Sequence, residues 1–229
     1  MLHHNKPERT WYRKVAGLVL VHCYLKALGT MLFIGLFFGA YFYLLRHPSS
    51  TPVVMPLIWL DWLVDFQPLA LAVYLTLWLY VSLPPLLLAT QRELYRYGAA
   101  MALMCIAGLA VFYFWPTAVP LADIDWALHP DMSFLKNIDA SGNACPSLHV
   151  ATAIFSGFWL HHLLRRIGGP RWVLVFNAAW CAAIVYSTLA TRQHVAIDVA
   201  AGLMLGALSA LVSLGHALRA PGLLVNSAA

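Results

Sequence analysis

Charged side chains are scarce in this sequence. Asp, Glu, Lys and Arg together make up 10% of its 229 residues, whereas a soluble domain carries about 25%. Several stretches run for about 18 residues or more with few or no charges, which is the length needed to cross about 30 Å of hydrocarbon. The sequence therefore predicts an integral membrane protein, and the apolar stretches leave no room for a separate soluble domain.

Cysteine is sparse as well, and its spacing shows no metal or disulfide pattern. The four cysteines, Cys23, Cys105, Cys145 and Cys181, include no Cys-x-x-Cys pair, so neither a zinc site nor a disulfide framework is indicated. Three of them fall in apolar stretches, where a thiol packs as a small apolar group. We expect no metal and no other cofactor.

The apolar stretches predict an all-α fold, with six transmembrane helices in a bundle that forms a single domain over residues 1–229. Hydropathy places the spans at about residues 27–45, 69–90, 99–118, 147–164, 172–190 and 195–218. Residues 1–26 form a basic segment whose apolar part should lie near the membrane interface. Pro84 and Pro85 should kink the second span. Strands are not expected in the spans, because lipid leaves no water to satisfy their open backbone groups.

Basic residues divide unequally between the two sides of this bundle. Eleven of the 14 Lys and Arg residues fall on the side that carries both termini, and the positive-inside rule places that side in the cytoplasm. We expect the protein to be integral to a membrane, namely the bacterial inner membrane. The basic balance thus reflects topology and does not indicate binding to nucleic acid. On the opposite side, Trp59 and Trp62 indicate an interfacial segment with aromatic anchors.

Two polar windows stand at the starts of the fourth and sixth spans, which face the same extracytoplasmic side. The first, "NACPSLHVA", contains His149, and the second, "TRQHVAIDVAAG", contains His194 and Asp198. Asp198 follows His194 by one helical turn, so the two share a helix face. A carboxylate there accepts a hydrogen bond from one ring nitrogen and leaves the other as a nucleophile or base. These three residues are the candidate catalytic group.

The residues around this group indicate an anion pocket. Ser147 stands where the N-cap of the fourth helix is expected, so free backbone N–H groups and the positive helix end converge there. Arg192 adds a permanent positive charge, and phosphate is the anion that fits such a pocket best. Asn143, which we count among the candidate phosphate-binding residues, is either a turn residue or a residue that holds the Ser147 loop. Arg192 either binds phosphate or extends to the outer surface.

Other polar and small residues have simpler interpretations. His161 and His162 lie beside Arg165 and Arg166 at the opposite end of the fourth span, so we expect them to be interfacial and without a catalytic part. Gly202 and Gly206 of the sixth span form a small-xxx-small pair, which predicts close packing against another helix.

The two windows together resemble the signatures of the type 2 phosphatidic acid phosphatase (PAP2) superfamily of membrane histidine phosphatases. The first window corresponds to the second signature of that family and the second window to its third signature. More narrowly, the second signature reads PSLH here in place of PSGH, and the third ends in Gln-His-x-x-x-Asp. Both features resemble the branch that contains the inositol phosphorylceramide synthases. The similarity extends to the six-span layout, although the residues that are specific to the family lie in the two short windows. The resemblance implies an enzyme that handles lipid phosphates.

The resemblance also implies a role for each matching residue. His194 matches the histidine that takes the phosphoryl group, and Asp198 matches the carboxylate that orients it. His149 matches the histidine that protonates the leaving oxygen, and Ser147 matches the serine that donates to a phosphate oxygen. A phosphohistidine would then form and be resolved by water or another alcohol, with no metal required.

Two signature positions depart from the family pattern. Ser187 and Thr188 stand where the third signature usually opens with Ser-Arg. The first signature, a lysine followed by Arg-Pro, is not recognisable near the end of the third span. We expect Arg192 to replace the missing arginine and Lys136, from the loop before Ser147, to replace the lysine.

The expected function is that of a phosphatase or phosphotransferase acting on a lipid phosphate, such as a polyprenyl pyrophosphate or phosphatidic acid, at the outer leaflet. A head-group transferase of the inositol phosphorylceramide synthase type is the alternative among enzymes. A haem-binding electron-transfer protein ligated by His149 and His194 is the alternative from another class. The expected partners are the lipid phosphate and membrane lipids, and the oligomeric state is not predicted.

Overall fold

The computed structural model describes residues 11–121, 124 and 142–219, with backbone alone for 216–219. Helices make up most of this part of the chain, as expected. They are α1 Trp11–Leu20, α2 Cys23–Arg46, α3 Ala70–Leu75, α4 Leu77–Leu87, α5 Gln91–Phe114, α6 Leu148–Arg166, α7 Arg171–Ala190 and α8 Ala196–Arg219. A 3-10 helix covers Trp59–Trp62, and two strands are β1 Val53–Val54 and β2 Thr117–Ala118.

Five helical segments among the described residues are long and apolar enough to cross a membrane. They are Cys23–Arg46, Ala70–Leu87, Gln91–Phe114, Arg171–Ala190 and Ala196–Gly215. The fourth predicted span, α6, is helical over nearly the predicted range but is not among the five. Its mean hydropathy is lowered by polar residues at both ends, namely His149, His161, His162, Arg165 and Arg166.

The second predicted span is interrupted at Thr76 rather than at its prolines. Helix α3 ends at Leu75, and α4 begins at Leu77 with Pro84 and Pro85 inside its last turns. The Thr76 hydroxyl donates to the carbonyl of Val73 at 2.6 Å, a bond that competes with regular helical bonding and bends helices.

The third predicted span is displaced along the chain. Helix α5 begins eight residues before the predicted start, because Thr90 and Glu93 form a capping box in which each side chain accepts a backbone N–H. It ends at Phe114, because the residue before Pro116 is steered away from helical conformation. Thr117 and Ala118, predicted to be helical, instead form β2.

Strand β2 pairs in parallel with β1, and Ala118 also forms a bridge with Gly142. These short strands lie in the connections outside the membrane-spanning helices, so the argument against strands in lipid does not apply to them. Met55, Val119, Ala144 and Val195 pack beside them in a small apolar cluster. The cluster gathers three connections into one layer over the starts of α6 and α8.

Helix α6 is the central element of the bundle. Eleven of its 19 residues are buried, and it packs against α4, α5, α7 and α8. The predicted close packing of Gly202 and Gly206 is confirmed: a Cβ atom at either position would lie 2.4 Å from the carbonyl oxygen of Ser147 or Ala151, respectively. Glycine at these positions lets α8 press against the first turns of α6.

The two ends of the bundle differ in their chemistry. At one end Arg166 of α6 forms a salt bridge with Glu93 of α5. There the Lys26 ammonium also donates to the carbonyls of Leu18 at 2.7 Å and Leu86 at 2.8 Å. These carbonyls belong to the last turns of α1 and α4, where a cation is favoured. We call this the basic end, and the opposite end, where α6 and α8 begin, the histidine end.

Candidate active site

The start of α6, at the histidine end, is capped by a side chain. The Ser147 hydroxyl accepts the backbone N–H of Val150 at 3.2 Å, and Ser147 is fully buried. Its own N–H donates to the carbonyl of Asp198 at 3.1 Å, which joins the starts of α6 and α8. The cap uses an acceptor position of the hydroxyl, and Ser147 is not among the described residues that line the cavity at this end.

The loop before Ser147 is fixed by contacts with two other elements. The Thr117 hydroxyl accepts the N–H of Cys145 at 2.8 Å. Asn143 adopts a left-handed conformation, with φ of 51°, which asparagine tolerates better than most residues. Its amide nitrogen donates to the carbonyl of Tyr41 in α2 at 3.0 Å. Of the two interpretations of Asn143, this contact favours the one in which it holds the Ser147 loop.

His149 lies in the first turn of α6 and stacks against Tyr74 of α3. The two ring centroids are 3.9 Å apart and the planes differ by 18°, so the imidazole is held flat against a rigid aromatic face. Its Nε2 atom is enclosed and has no hydrogen-bond partner among the described residues. Buried polar atoms without a partner are rare in folded proteins, and this one therefore marks a place where a ligand can bind.

His194 lies two residues before α8, outside the helix, so it does not share a helix face with Asp198, which lies in the first turn of α8. The His194 Nδ1 atom is 3.6 Å from the Asp198 Oδ2 atom, and the carboxylate is fully buried. Oδ2 also accepts the N–H of Val195 at 3.1 Å. The imidazole–carboxylate distance is just beyond a hydrogen bond, and such contacts commonly tighten when substrate binds. With Nδ1 turned to Asp198, Nε2 is the nitrogen that can attack a substrate.

Both imidazoles lie on the wall of one cavity of about 1050 Å³. They are close enough for an electrostatic interaction between the two rings. Tyr74, Asn143 and Thr152 line the same end of the cavity, and the rest of its wall is predominantly apolar. The structure thus brings together two residues that are far apart in the sequence, at the end of a space suited to an apolar chain.

The structure does not place Arg192 where it would bind phosphate in the cavity. Its backbone is left-handed, with φ of 56°, and its Nη1 atom donates to the backbone carbonyl of Asp61 at 3.0 Å. It is not among the described residues that line the cavity. Thr188, which stands at the usual arginine position, is fully buried and donates to the carbonyl of Val185 at 2.8 Å. Lys136, the expected replacement for the signature lysine, lies outside the described residues.

Asp61 is a site residue that the sequence interpretation missed. Its carboxylate accepts the N–H of Ala196, the first residue of α8, at 2.7 Å and the N–H of Ile58 at 2.8 Å. Together with the bond from Arg192, these contacts hold the chain on both sides of His194. The signal that could have found it is the three-residue spacing of Trp59 and Trp62. Residues three apart share one side of a 3-10 helix, so the two exposed tryptophans lie on one side and Asp61, which is 2% exposed, lies away from them.

Cys145 lies beside the site but is not suited to nucleophilic chemistry. Burial, together with the nearby charge of Asp198, raises the pKa of the Cys145 thiol to about 11. Because the thiolate is the reactive form of cysteine, this thiol is almost entirely neutral and unreactive near pH 7.

Comparison with known proteins identifies one family. A family model described as PAP2 superfamily matches residues 57–212, which is more than half of the chain and includes Asp61, both histidines and Asp198. No curated protein and no solved structure gave a significant match.

Proposed function

The chain belongs to the PAP2 superfamily, and from this premise we propose that it is a membrane lipid phosphatase or phosphotransferase that works through a phosphohistidine on His194. The observation that carries the proposal is the position of His149 and His194 on one cavity wall, with Asp198 behind His194. The apolar remainder of the cavity supports a lipid as the carrier of the phosphate.

In the first step, the lone pair of His194 Nε2 attacks the phosphorus atom and the bond from phosphorus to the leaving oxygen breaks. His149, in its protonated form, donates a proton to that oxygen, and the lipid product leaves. Asp198 accepts the Nδ1–H of His194 and stabilises the positive charge that the phosphorylated ring carries.

In the second step, His149, now neutral, takes a proton from water. The oxygen of that water bonds to phosphorus while the phosphorus–nitrogen bond breaks, which restores His194 and releases phosphate. An alcohol in place of water would give a new phosphate ester, the reaction of a phosphotransferase.

The phosphate oxygens need positive partners, and the start of α6 supplies the first of them. We assign this part to the Ser147 hydroxyl and the N–H groups of the first turn, because the helix dipole favours an anion there. Ser147 is fully buried and does not line the cavity, so its contact with phosphate requires a local movement when substrate binds. We assign Lys136 and Arg192 the remaining contacts. For Arg192 this requires the guanidinium to exchange the Asp61 carbonyl for a phosphate oxygen when substrate binds.

We further propose six spans, with α6 as the fourth. Because its neighbours surround α6, it meets less lipid than the other helices and tolerates more polar residues at its ends. The basic end then faces the cytoplasm together with both termini, and the histidine end faces the extracytoplasmic side. A lipid would present its phosphate at the outer leaflet with its tail among the helices.

Replacement of the nucleophile tests the proposal. His194→Ala should abolish phosphate release from lipid phosphates by the purified protein in lipid nanodiscs, because no nitrogen remains to attack phosphorus. His162→Ala, at the basic end of α6, is the matched histidine control and should retain activity. Phosphate release by His194→Ala at the natural rate would refute the assignment.

The acceptor is decided by following the phosphate. We expect water to be the main acceptor, so that lipid labelled at phosphorus yields labelled inorganic phosphate. Transfer of the label to inositol or another added alcohol, in preference to water, would establish a head-group transferase of the inositol phosphorylceramide synthase type instead.

A further inference from the structure

We propose that Thr76, at the break between α3 and α4, is a positioning residue for His149. It holds Tyr74 against the imidazole, and the backbone of Tyr74 then fixes which ring nitrogen carries the resting proton. This inference rests on the proposed function, since it takes His149 as the group that exchanges a proton with the leaving oxygen and with water. It adds the nitrogen that does so and the part of the fold that selects it.

Tyr74 holds the His149 imidazole in two ways. The two rings are stacked with their centroids 3.9 Å apart, and the backbone of Tyr74 forms a hydrogen bond with the imidazole. Tyr74 lies in the last turn of α3, where it is the backbone carbonyls that take partners from outside the helix. A carbonyl can only accept, so the ring nitrogen in this bond carries a proton.

The nitrogen in this bond is Nδ1. The Nε2 atom of His149 has no hydrogen-bond partner among the described residues, so the bond to Tyr74 uses the other ring nitrogen. A neutral imidazole has one N–H and one acceptor nitrogen. With the proton held on Nδ1, Nε2 is the nitrogen that gains and loses a proton during turnover.

This arrangement suits both steps of the proposed reaction. When His149 gives its Nε2 proton to the leaving oxygen, the neutral ring that remains is the Nδ1–H tautomer, which is the one that the Tyr74 carbonyl binds. The same tautomer offers Nε2 to the water of the second step. The ring therefore has no need to rotate or to move a proton between its nitrogens from one step to the next.

Thr76 fixes the chain two residues after Tyr74. Its backbone N–H donates to the carbonyl of Val73 at 3.0 Å, and its hydroxyl donates to the same carbonyl at 2.6 Å. The hydroxyl also accepts the Nε1–H of Trp180, in α7, at 2.9 Å. A threonine hydroxyl has one donor and two acceptor positions, so it makes both bonds at once. The end of α3 is thereby tied to α7.

Trp180 is itself held in place by its neighbours. Its ring packs edge-on against Tyr80 of α4, with centroids 5.2 Å apart. The Tyr80 hydroxyl donates to the side-chain oxygen of Asn177 at 2.8 Å, and the Asn177 amide donates to the carbonyl of Gly157 in α6 at 3.1 Å. Helix α6 is the one that carries His149. The network therefore fixes the break between α3 and α4 relative to the imidazole.

Ser213 of α8 provides a matched control. Its hydroxyl donates to the carbonyl of Ala210, three residues earlier, at 3.0 Å and accepts the Nε1–H of Trp159 at 2.9 Å. These are the same two kinds of bond that the Thr76 hydroxyl makes. Ser213 lies in the last turns of α8, at the opposite end of the bundle from His149. Ser213→Ala therefore removes equivalent bonds without affecting the position of the imidazole.

The proton on His149 is located by nitrogen NMR of the protein, labelled with isotopic histidine, in lipid nanodiscs at mildly alkaline pH. The signal of each ring nitrogen reports whether it bears the proton, and His149→Gln identifies the two signals by their loss. The natural protein and Ser213→Ala should carry the proton on Nδ1. Thr76→Ala should shift it at least in part to Nε2, the tautomer that free histidine favours in water.

The kinetics should follow the tautomer. Thr76→Ala should lower kcat about tenfold with little change in KM, because a misplaced proton donor slows the chemical step. Thr76→Ser keeps the hydroxyl and should restore most of kcat, and Ser213→Ala should retain it. Trp180→Phe keeps the ring against Tyr80 but loses the N–H, so it should change the tautomer and kcat in the same direction as Thr76→Ala. It decides the matter if Thr76→Ala does not fold.

The outcomes separate the two proposals. The NMR measurement needs no turnover, so a natural protein with the His149 proton on Nε2 overturns this inference whether or not phosphate is released. Thr76→Ala and Trp180→Phe with the natural tautomer and kcat would also overturn it, as would an equal effect of Ser213→Ala, and the phosphatase assignment would then stand. If the natural protein releases no phosphate from lipid phosphates, the proposed function fails and the role of His149 fails with it.

Discussion

Three buried side-chain atoms lack a hydrogen-bond partner among the described residues, and all three belong to the candidate catalytic group. They are His149 Nε2, His194 Nδ1 and Asp198 Oδ1. An unpaired buried polar group costs about 1–3 kcal/mol, so a fold tolerates it mainly where a ligand will supply the partner. In the proposed mechanism the substrate would supply the missing partner of His149 Nε2.

At this scale the sequence indicated that His149, His194 and Asp198 would lie near one another, because their equal membrane depth is visible in a sequence. Their catalytic roles stay a prediction. The contact between Arg192 and Asp61 was not predictable, because it joins a loop to a 3-10 helix more than a hundred residues away. Such a contact depends on how the connections fold over the helix starts.

Asp61 should act as a positioning residue for His194. Asp61→Ala leaves the N–H groups of Ala196 and Ile58 without their acceptor, so we expect kcat to fall by about tenfold to a hundredfold while KM changes little. Asp61→Asn keeps one acceptor oxygen and should restore part of kcat. Steady-state kinetics and the melting temperature of each variant check this. An equal loss in both variants with an unchanged melting temperature would contradict it.

Cys145 gives a prediction about pH. A thiol with its pKa raised to about 11 is neutral below that pH, so its reaction with iodoacetamide should be slow at pH 7 and accelerate as the pH rises towards 11. The rate is measured by mass spectrometry of the modified peptide. Fast modification at pH 7, at the rate of the exposed Cys23, would show that the thiol is not shielded in this way.

At the scale of helices, hydropathy predicted that each helix exists better than it predicted where the helix begins and ends. The ends of α7 and α8 fall within one residue of the expected positions, because polar loops flank them. Helix α5 begins earlier than expected, because a helix continues into the interface when a capping box such as that of Thr90 and Glu93 stabilises its start. The two-residue strands were missed, because their pairing depends on tertiary contacts that carry no periodic signal.

The packing of α8 on α6 should depend on Gly202. Gly202→Ala places a methyl group 2.4 Å from the carbonyl oxygen of Ser147, so it should destabilise the protein by about 1–3 kcal/mol and shift the start of α6. We expect a lower melting temperature and reduced phosphatase activity.

Gly215 lies in the same helix with nothing within 4 Å of an added Cβ. Gly215→Ala is therefore the control, and it should leave the melting temperature unchanged or raise it slightly, since alanine is the better helix former. If Gly202→Ala and Gly215→Ala have the same melting temperature, the close approach of the two helices is not required for stability.

At the scale of the whole molecule, the account depends on which end of the bundle faces outward. The bias of Lys and Arg towards one end argues for a cytoplasmic basic end, but charge bias acts during insertion and leaves no direct trace in the packing. The helices could thus be assigned from the sequence and compared with the structure, whereas sidedness stays a prediction.

Sidedness can be measured with single cysteines in a variant whose four natural cysteines are replaced by alanine. Ser50 lies in the connection at the histidine end and Arg92 at the start of α5, and both are exposed. Ser50→Cys should react with a membrane-impermeant maleimide added to intact cells, and Arg92→Cys should react only after the membrane is opened. The reverse pattern would place the histidine end in the cytoplasm.

The central claim is that His194 takes the phosphoryl group from a lipid phosphate on the cavity wall that it shares with His149. The most direct measurement mixes the protein with lipid labelled at phosphorus, stops the reaction in alkali within one turnover and locates the label by mass spectrometry. The account predicts label on His194 that is lost on acidification, as expected of a phosphorus–nitrogen bond. Turnover without labelled protein, or label on another residue, would contradict it.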